Sequence, residues 1–333
     1  VFSATAISAG IATLCMAFFA NYPVALASGM GLNAFFAFTV CGAMGYSYKV
    51  ALTAVFIEGI IFMLLSLFKF REALVNKIPS NLKFAITAGI GLFIAIIALL
   101  NANVVVASES TTVALGELSS PTVVLSLVGL LIIGALQHYK VPGGILLGIL
   151  ITWVLGIIAQ LVGWYVPNPE AGVYSVIPQF SLSSFEAPKM FQFDFGFIAK
   201  NVPAFILIVF TFLYTDIFDT VGTLIGVAEK GKLLDKDGSL PNATGALMAD
   251  AVGTVVGACF GTSTVTSYVE SSAGVAAGGR TGLTAVTTAV LFFISLIFAP
   301  IFTSIPSFAT TPAMLYVGLL MLSSIRQVKF DGD

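Results

Sequence analysis

The stretch FGTSTVTSYVESSAGVAAGG, at residues 260–279, decides the fold that we expect for this chain. It opens with Thr, Ser and Val, which favour extended backbone, and its pattern becomes helical only from about Tyr268. The stretch NYPVALASGMGLNAFFAFTV, at residues 21–40, opens with Pro, Ser and Gly and becomes helical only from about Leu32. Each stretch therefore predicts a short extended piece joined to a half-helix.

The composition around these two stretches is typical of a polytopic membrane protein. Of the 333 residues, 58% are hydrophobic and only 9% are charged, which excludes the soluble globular classes. A net charge of −2 offers no basic face to nucleic acid, so nucleic-acid binding is excluded as well. The cysteines, Cys15, Cys41 and Cys259, are isolated in apolar runs without metal-ligand spacing, and we interpret them as small buried hydrophobes.

Apolar runs of about 20 residues indicate nine continuous membrane helices. They lie near residues 1–20, 50–68, 82–101, 122–138, 144–165, 197–220, 242–259, 281–299 and 306–323. With the two broken stretches this makes about eleven segments. Irregular backbone survives in hydrocarbon only where protein or a water-filled cavity satisfies its polar groups, so both broken stretches are expected to line a site.

Positive charges predict the orientation of these segments. If the segments alternate across the bilayer, one side collects eleven Lys and Arg residues and the other only Lys49, Lys189 and Lys200. The richer side is expected to be cytoplasmic, so that residue 1 starts outside and an odd number of spans precedes it. The cytoplasmic set comprises Lys69, Arg71, Lys77, Lys83, Lys140, Lys230, Lys232, Lys236, Arg280, Arg326 and Lys329.

With this topology the two half-helices enter the membrane from opposite sides, as in an inverted repeat. Paired discontinuous helices in opposite orientations are typical of secondary transporters whose binding site lies near the bilayer midplane. The N-termini of both half-helices would then point inward.

Five acidic residues lie at membrane depth without a Lys, Arg or His beside them: Glu58, Asp216, Asp219, Asp250 and Glu270. Asp216 and Asp219 are three residues apart and share a helix face, which Thr220 extends. This pair is either a hydrogen-bonded clamp between protonated acids or part of a substrate or proton pathway. We favour the pathway, because intramembrane acids usually mark one. Two acids so close also disfavour joint ionisation, which suits a proton-coupled carrier.

Two further polar positions coincide with the expected starts of the half-helices. Glu270 opens the second and Asn33 has the corresponding place in the first, so each could cap its helix, bind a ligand or do both. Asp250 lies among small residues in ADAVGTVVGA. We expect it to hold its helix against a strand or a half-helix backbone rather than to touch a substrate.

The predicted site offers carboxylates and an amide without a cationic side chain. Such a site disfavours anions and suits a neutral solute rich in N–H donors, since a carboxylate accepts two such bonds. Four aromatic side chains could stack on a flat heterocycle, although lipid contact and helix packing explain them equally well. These are Phe35, Phe36, Phe38 and Phe212.

Three motifs carry a resemblance to a known family: GMGLNAFFAF at 29–38, TDIFDTVGTLIGVA at 215–228 and GTSTVTSYVESSAGVAAGGRTGLTA at 261–285. Together they resemble the AzgA-like purine permeases for hypoxanthine, guanine and adenine, within the nucleobase:cation symporter and nucleobase-ascorbate transporter superfamily. The resemblance extends over essentially the whole chain.

The resemblance implies an all-α polytopic membrane protein with the uracil-transporter-like fold. Its fourteen segments would form two inverted repeats of seven, and this chain would lack the first segment and the last two. A core domain would comprise residues 1–68 and 196–300, and a gate domain residues 69–195 and 301–333.

The resemblance also implies roles for single residues. For proton coupling it implies Asp219 and Glu270. The uracil carriers have Glu and His where this chain has two Asp, which favours purine over pyrimidine. The implied substrate-binding set comprises Gly31, Asn33, Asp216 and Glu270, and we add Thr220 because it extends the helix face of Asp216.

We therefore expect a multi-pass protein of the cell membrane that imports purine nucleobases with protons by alternating access. It would be no enzyme and would need no cofactor or metal, with H⁺ as the coupling ion. Alternatives are a carrier of another neutral heterocycle such as uracil or xanthine, and a cation-selective channel. An intramembrane aspartyl hydrolase is disfavoured, because two Asp on one helix turn cannot clamp a peptide from both sides. A homodimer is one alternative for the assembly.

Overall fold

The structure, a computed structural model, describes residues 1–67, 80–108, 111–167, 174–177, 187–235, 240–276 and 278–328. The chain forms two compact units, the first from Val1–Lys83 and Phe185–Ile297 and the second from Phe84–Ser184 and Phe298–Asp333. The predicted division into core and gate domains concerns relative motion and stays a prediction, as does the predicted orientation. Some predicted cytoplasmic cations lie outside the described residues, namely Lys69, Arg71, Lys77, Lys236 and Lys329.

The N-terminal half of the chain contains six helices and three short strands among its described residues. They are α1 (Phe2–Phe19), β1 (Leu26–Ser28), α2 (Met30–Ala34) with a π-helical continuation (Phe35–Ala43), α3 (Tyr48–Leu67), α4 (Ser80–Asn101), β2 (Val105–Ser108), β3 (Thr112–Leu115), α5 (Pro121–His138) and α6 (Gly144–Leu161).

The C-terminal half is almost entirely helical. Its described elements are α7 (Gly196–Lys200), α8 (Val202–Gly231), α9 (Ala243–Phe260), β4 (Val265–Ser267), α10 (Ser271–Ala276), α11 (Gly282–Ser295), α12 (Ala299–Thr303), α13 (Ser307–Leu322) and a closing 3₁₀ turn (Ser323–Gln327).

Many of these helices are long and apolar enough to cross a bilayer. Among the described residues, α1, α3, α5, α6, α8 and α9 each offer a span of at least 18 residues. Shorter apolar helices occupy Met30–Ala43, Gly91–Asn101, Gly282–Ser295 and Ser307–Leu320. The predicted class, a helical multi-span protein with two strand-plus-half-helix segments, is confirmed.

Three predicted helix boundaries are wrong. The helix expected at 197–220 begins at Val202 and runs to Gly231, because Pro203 suits a first turn and the polar residues in its second half pack against protein. The helix expected at 281–299 ends at Ser295, and a new short helix with Pro300 in its first turn follows. The helix expected at 144–165 ends at Leu161, just before Gly163 adopts a φ of 82°.

Three further features differ from the sequence-based expectation. The β2–β3 hairpin was missed, because its second strand is exposed along its whole length and shows no alternation. The π-helical stretch after α2 was missed as well, since its wider turns arise from packing rather than from composition. The three cysteines are free thiols that are only partly buried. An apolar run in a membrane protein can face lipid, so it does not imply burial inside the protein.

The centre of the first unit is an antiparallel pairing of β1 with β4, two strands far apart in sequence. Hydroxyls of the continuous helices satisfy backbone groups that this pair leaves open. Thr13 of α1 accepts from Leu26 N at 3.0 Å, and Thr254 of α9 donates to Val265 O at 2.9 Å. The register pairs Leu26 with Ser267, Ala27 with Thr266 and Ser28 with Val265.

The half-helices begin where the strands end. The first starts at Met30 rather than at Leu32, and the second at Ser271 rather than at Tyr268. The predicted broken segments are thus correct in kind, with boundaries wrong by two or three residues.

The second unit is built from α5, α6 and α13, which pack against one another. Trp153 of α6 lies in its core beside Phe308 of α13, and its indole N–H donates to Val176 O at 2.8 Å. This bond satisfies the polar atom of an otherwise apolar buried side chain.

The close approach of α1, α9 and β4 at Gly253 gives a first testable prediction. A Cβ at this position would lie 2.7 Å from Ala12 Cβ and 3.2 Å from Val265 Cγ1. Because the Ala12 Cβ is bonded directly to its backbone, Gly253→Ala must push elements apart. We expect a loss of about 1–3 kcal/mol in the free energy of unfolding, seen as a lower thermal unfolding temperature in detergent.

Gly226→Ala in α8 is the matched control, because an added Cβ there meets nothing within 4 Å. It should unfold at the wild-type temperature. Equal unfolding temperatures for the two variants would contradict the close approach.

Candidate functional site

All residues of the predicted site lie in the first unit. Gly31 and Asn33 belong to α2, and Glu270 immediately precedes α10. Asp216 and Thr220 lie on α8, together with Asp219. Helix α8 packs against both β4 and α10, so it runs beside the crossing of the two broken segments.

Thr220 joins three elements around that crossing. Its hydroxyl donates to Asp250 Oδ2 on α9 at 2.8 Å and lies 2.9 Å from Thr266 Oγ1 on β4. Asp216 Oδ1, at 3.4 Å, is the alternative acceptor for the single hydrogen of this hydroxyl. Thr220 is wholly buried, so in this conformation its hydroxyl serves the protein interior. Its predicted role in substrate binding stays a prediction.

Asp250 fastens α9 to the second broken segment, as the sequence predicted. Its Oδ1 accepts from Ser267 N at 3.0 Å and from Ser267 Oγ at 3.1 Å. Its Oδ2 accepts from Thr220. Because these donors sit on β4 and α8, one buried carboxyl sets the position of the strand that leads to Glu270.

Asp216 and Asp219 share a helix but differ in exposure. The side chain of Asp216 is completely buried, whereas that of Asp219 is partly exposed. Helix α8 packs against β4 and α10, which flank Glu270, so Asp219 lies on a helix beside the segment that bears Glu270. The two Asp occupy different environments.

Tyr268 is a residue that the sequence analysis did not select. Its hydroxyl donates to Ser28 O at the end of β1, and its backbone N donates to Ala25 O at 2.9 Å. The charges of Glu270 and Asp219 both act on the phenol. The available signal was its position in TSYVE, two residues before Glu270.

Asn33 does not cap its helix, so that alternative is wrong. The N-cap position of α2 is Gly29, and the backbone N of Asn33 donates to Gly29 O at 2.7 Å within the first turn. Residues before a helix adopt extended backbone, and Asn33 is already helical. Its side chain instead turns back towards Ser28.

Four hydroxyls gather beside the amide of Asn33, and we call them the hydroxyl cluster: Thr5, Ser28, Thr262 and Ser263. Ser28 and Ser263 both donate to Asn33 Oδ1, Ser28 at 3.2 Å. Thr262 Oγ1 lies 2.9 Å from Ser28 Oγ and 3.0 Å from Thr5 Oγ1. The cluster thus links α1, β1 and the loop between α9 and β4 to the first half-helix.

The aromatic side chains considered for stacking mostly pack inside the first unit. Phe212 is completely buried, and its ring meets Phe35 edge-on with centroids 4.9 Å apart. Phe36 is also buried and lies against Phe212 and Tyr48. Phe38 is 54% exposed. For Phe36 and Phe212 the structure therefore shows the helix-packing alternative.

The chemistry of this site is that of hydrogen bonding and proton exchange. A carboxyl group can accept hydrogen bonds from N–H groups or carry a proton, and an amide can both donate and accept hydrogen bonds. Within the ranges that the structure describes, no three His, Cys, Asp or Glu side chains lie close enough together to hold a metal ion.

Comparison with known proteins identifies the family of the chain. The model of the Permease family, Xan_ur_permease, matches residues 1–332 of the chain. The chain belongs to this family. The permease is 42% identical over 331 residues to the adenine permease AdeQ of Escherichia coli (strain K12), covering 99% of this chain and 71% of AdeQ. It is 45% identical over 339 residues to the guanine/hypoxanthine permease PbuO of Bacillus subtilis (strain 168), covering 99% of this chain and 75% of PbuO.

The fold of the permease is also known from a solved structure. The transmembrane domain of the cyanobacterial bicarbonate transporter BicA superposes with a TM-score of 0.70 at 15% sequence identity, covering 98% of this chain and 82% of that domain. This likeness shows the fold. Family and fold together make the permease a multi-pass transporter of the cell membrane and not an enzyme.

Proposed function

We propose that this permease imports purine nucleobases together with protons by alternating access. The observation that carries the proposal is that α8, which bears Asp219, packs against β4 and α10, the two elements between which Tyr268 and Glu270 lie at the crossing of the broken segments. The relatives AdeQ and PbuO, an adenine and a guanine/hypoxanthine permease, support the choice of substrate.

The chemistry of these groups fits a neutral nitrogen heterocycle. Every purine base carries at least one N–H group, which can donate a hydrogen bond to a carboxyl oxygen. The two faces of the flat ring carry few polar groups, so burying them costs little desolvation. The ionisable side chains near Asp219 include those of Asp250 and Glu270, which are negative when ionised. Their electric field therefore repels anions. By the resemblance in sequence, the base is held by Asn33, Asp216 and Glu270, with Gly31 and Thr220 beside them.

The same acids support proton coupling. Asp219 lies on α8 with Asp216, and α8 packs against the segment that bears Glu270; like charges at short range disfavour simultaneous ionisation. One carboxyl of the group can therefore carry a proton while another accepts the base. H⁺ is the coupling ion in this proposal, and no cofactor takes part.

The direct test is uptake of labelled bases by cells or proteoliposomes that contain the permease. We expect saturable uptake of hypoxanthine, guanine or adenine, competition among them, little uptake of uracil, and faster uptake when the outside is more acidic than the inside. Dissipating the pH gradient should abolish accumulation. Uptake of uracil without purine uptake, or uptake that never saturates, would overturn the proposal in favour of a pyrimidine carrier or a channel.

Asp219→Asn tests which acid carries the proton. Asn keeps the size of the side chain but cannot ionise, so we expect the uptake rate to fall by about tenfold or more while hypoxanthine still binds. Binding is measured as a ligand-induced rise in the unfolding temperature, and the pH dependence of the remaining uptake should be lost.

Asp235→Asn is the matched control, because Asp235 is exposed after α8 and lies outside the proposed site. It should behave like the wild type. An unchanged pH dependence in Asp219→Asn would remove Asp219 from the coupling step.

A further inference from the structure

The amide of Asn33 is held in one orientation by a backbone carbonyl. Its Nδ2 donates to Ser28 O at 3.4 Å. A carbonyl oxygen can only accept, so the nitrogen and not Oδ1 must face it. Oδ1 consequently faces the hydroxyl cluster, where Ser28 and Ser263 both donate to it.

The amide of Asn33 retains one N–H group that is not used in hydrogen bonds to the described residues of the protein. An amide oxygen has two acceptor sites, and the hydroxyls of Ser28 and Ser263 occupy both. The nitrogen has two hydrogens, of which Ser28 O takes one. Within the part of the chain that the structure describes, the second hydrogen meets no acceptor. Since the side chain of Asn33 is partly exposed, this N–H is the group that it can present to a ligand.

The hydroxyl cluster supports this direction of hydrogen bonding. Two further hydroxyls lie within reach of Ser28 Oγ, Thr262 at 2.9 Å and Ser263 at 3.1 Å. Ser28 and Ser263 each have one hydroxyl hydrogen and donate it to Asn33, so the oxygen of Ser28 is left to accept from Thr262. Thr262 in turn lies 3.0 Å from the hydroxyl of Thr5 on α1. Ser28 and Ser263 are both buried, so water does not compete strongly for these bonds.

We propose that Ser28 and Ser263 are positioning residues that keep Asn33 as a hydrogen-bond donor to the transported base. The atom of the base that faces Asn33 is then an acceptor, either a ring nitrogen without hydrogen or an exocyclic carbonyl oxygen. With Glu270 as an acceptor, the permease recognises a donor and an acceptor of the base at once. This inference rests on the proposed function and assigns the chemistry of one contact within it.

The first test replaces one positioning hydroxyl. Ser263→Ala removes a donor to Oδ1, which frees the amide to rotate and to present its oxygen. We expect the KM for hypoxanthine uptake to rise about 3- to 10-fold with the maximal rate unchanged. Ser263→Thr, which keeps the hydroxyl, should restore most of the affinity. Ser66→Ala is the matched control, because Ser66 is a buried serine that donates to Phe62 O of its own helix.

The second test identifies the acceptor on the base. Hypoxanthine uptake is competed with 3-deaza-, 7-deaza- and 9-deazahypoxanthine and with unsubstituted purine, each of which lacks one acceptor. Unsubstituted purine lacks the N1–H donor as well as the carbonyl oxygen, so it points to that oxygen only if all three deaza analogues compete like hypoxanthine. In the wild type, the deaza analogue without the nitrogen that faces Asn33 should compete about 3- to 10-fold more weakly. In Ser263→Ala and Asn33→Ala this difference should disappear, whereas a merely structural defect would weaken every competitor equally.

The outcomes separate the two proposals. If the wild type imports no purine, the proposed function fails. If it imports hypoxanthine but Ser263→Ala matches the wild type, or all analogues weaken together, the positioning role is overturned. If Ser263→Ala does not reach the membrane, Asn33→Asp decides, because it keeps the shape and exchanges the N–H donor for an acceptor. Its uptake should be lost, and uptake at the wild-type level would overturn the donor role.

Discussion

Replacing Glu270 by Gln is expected to lower hypoxanthine uptake by about 100-fold or more while leaving the amount of protein in the membrane unchanged. A hydrogen bond to a charged group contributes about 1.5–3 kcal/mol, and each 1.4 kcal/mol is about a tenfold change in affinity. Gln turns one acceptor oxygen into an NH₂ group that would face an N–H of the base. It also removes a carboxyl that could carry the proton.

The folded state should survive this change. Glu270 is partly exposed at the start of α10, and Gln has nearly the same shape. The measurements are initial uptake rates of labelled hypoxanthine and the membrane content of the protein. Glu117→Gln is the matched control, because Glu117 is exposed in the segment between β3 and α5. Normal hypoxanthine uptake by Glu270→Gln would contradict the assignment of Glu270 to the binding site.

Asp216→Asn should also abolish uptake, for a different structural reason. Asp216 is completely buried, and its Oδ1 lies 3.4 Å from the hydroxyl of Thr220. Thr220 holds Asp250, which in turn holds the strand that leads to Glu270. Exchanging the carboxyl for an amide puts N–H groups into this network and removes an ionisable group from beside the base. We expect loss of uptake together with loss of hypoxanthine binding.

Asp216→Asn and Asp219→Asn are expected to differ in hypoxanthine binding. If Asp216 binds the base and Asp219 handles the proton, ligand-induced stabilisation should vanish in Asp216→Asn and persist in Asp219→Asn. The structure gives the reverse result a physical basis, because Asp219 is the partly exposed member of the pair and its helix packs against α10, which Glu270 precedes. Binding that persists in Asp216→Asn and vanishes in Asp219→Asn would exchange the two roles.

Much of the fold was predictable because it depends on neighbours in sequence. Apolar runs of about 20 residues, which is the length of a helix that spans a bilayer, identify helices such as α3 and α9. Thr, Ser and Val identified the second broken segment, and Pro, Ser and Gly identified the first. Boundaries were less certain, and Pro203 and Pro300 mark two of them more sharply than the apolar pattern does.

The arrangement of the site was only partly predictable. The five intramembrane acids could be found because charge is expensive in hydrocarbon, and Asp250 could be assigned to packing because its neighbours are small. The difference in burial between Asp216 and Asp219 could not be found, because residues three apart on a helix have the same sequence environment. Tyr268 was missed for a related reason, since its partner Ser28 is remote in sequence.

The sequence by itself therefore determined a membrane transporter with two broken helices and an acidic interior. Only the tertiary structure decided that strand β1 pairs with strand β4. The two strands are remote in sequence, so their pairing and its register depend on packing and not on local sequence preference. That pairing brings Ser263 to Asn33, and the packing of α9 against β4 brings Ser267 to Asp250. The direction in which the amide of Asn33 can donate follows from these contacts, since a hydrogen bond is decided by the atom opposite and not by the residue type alone.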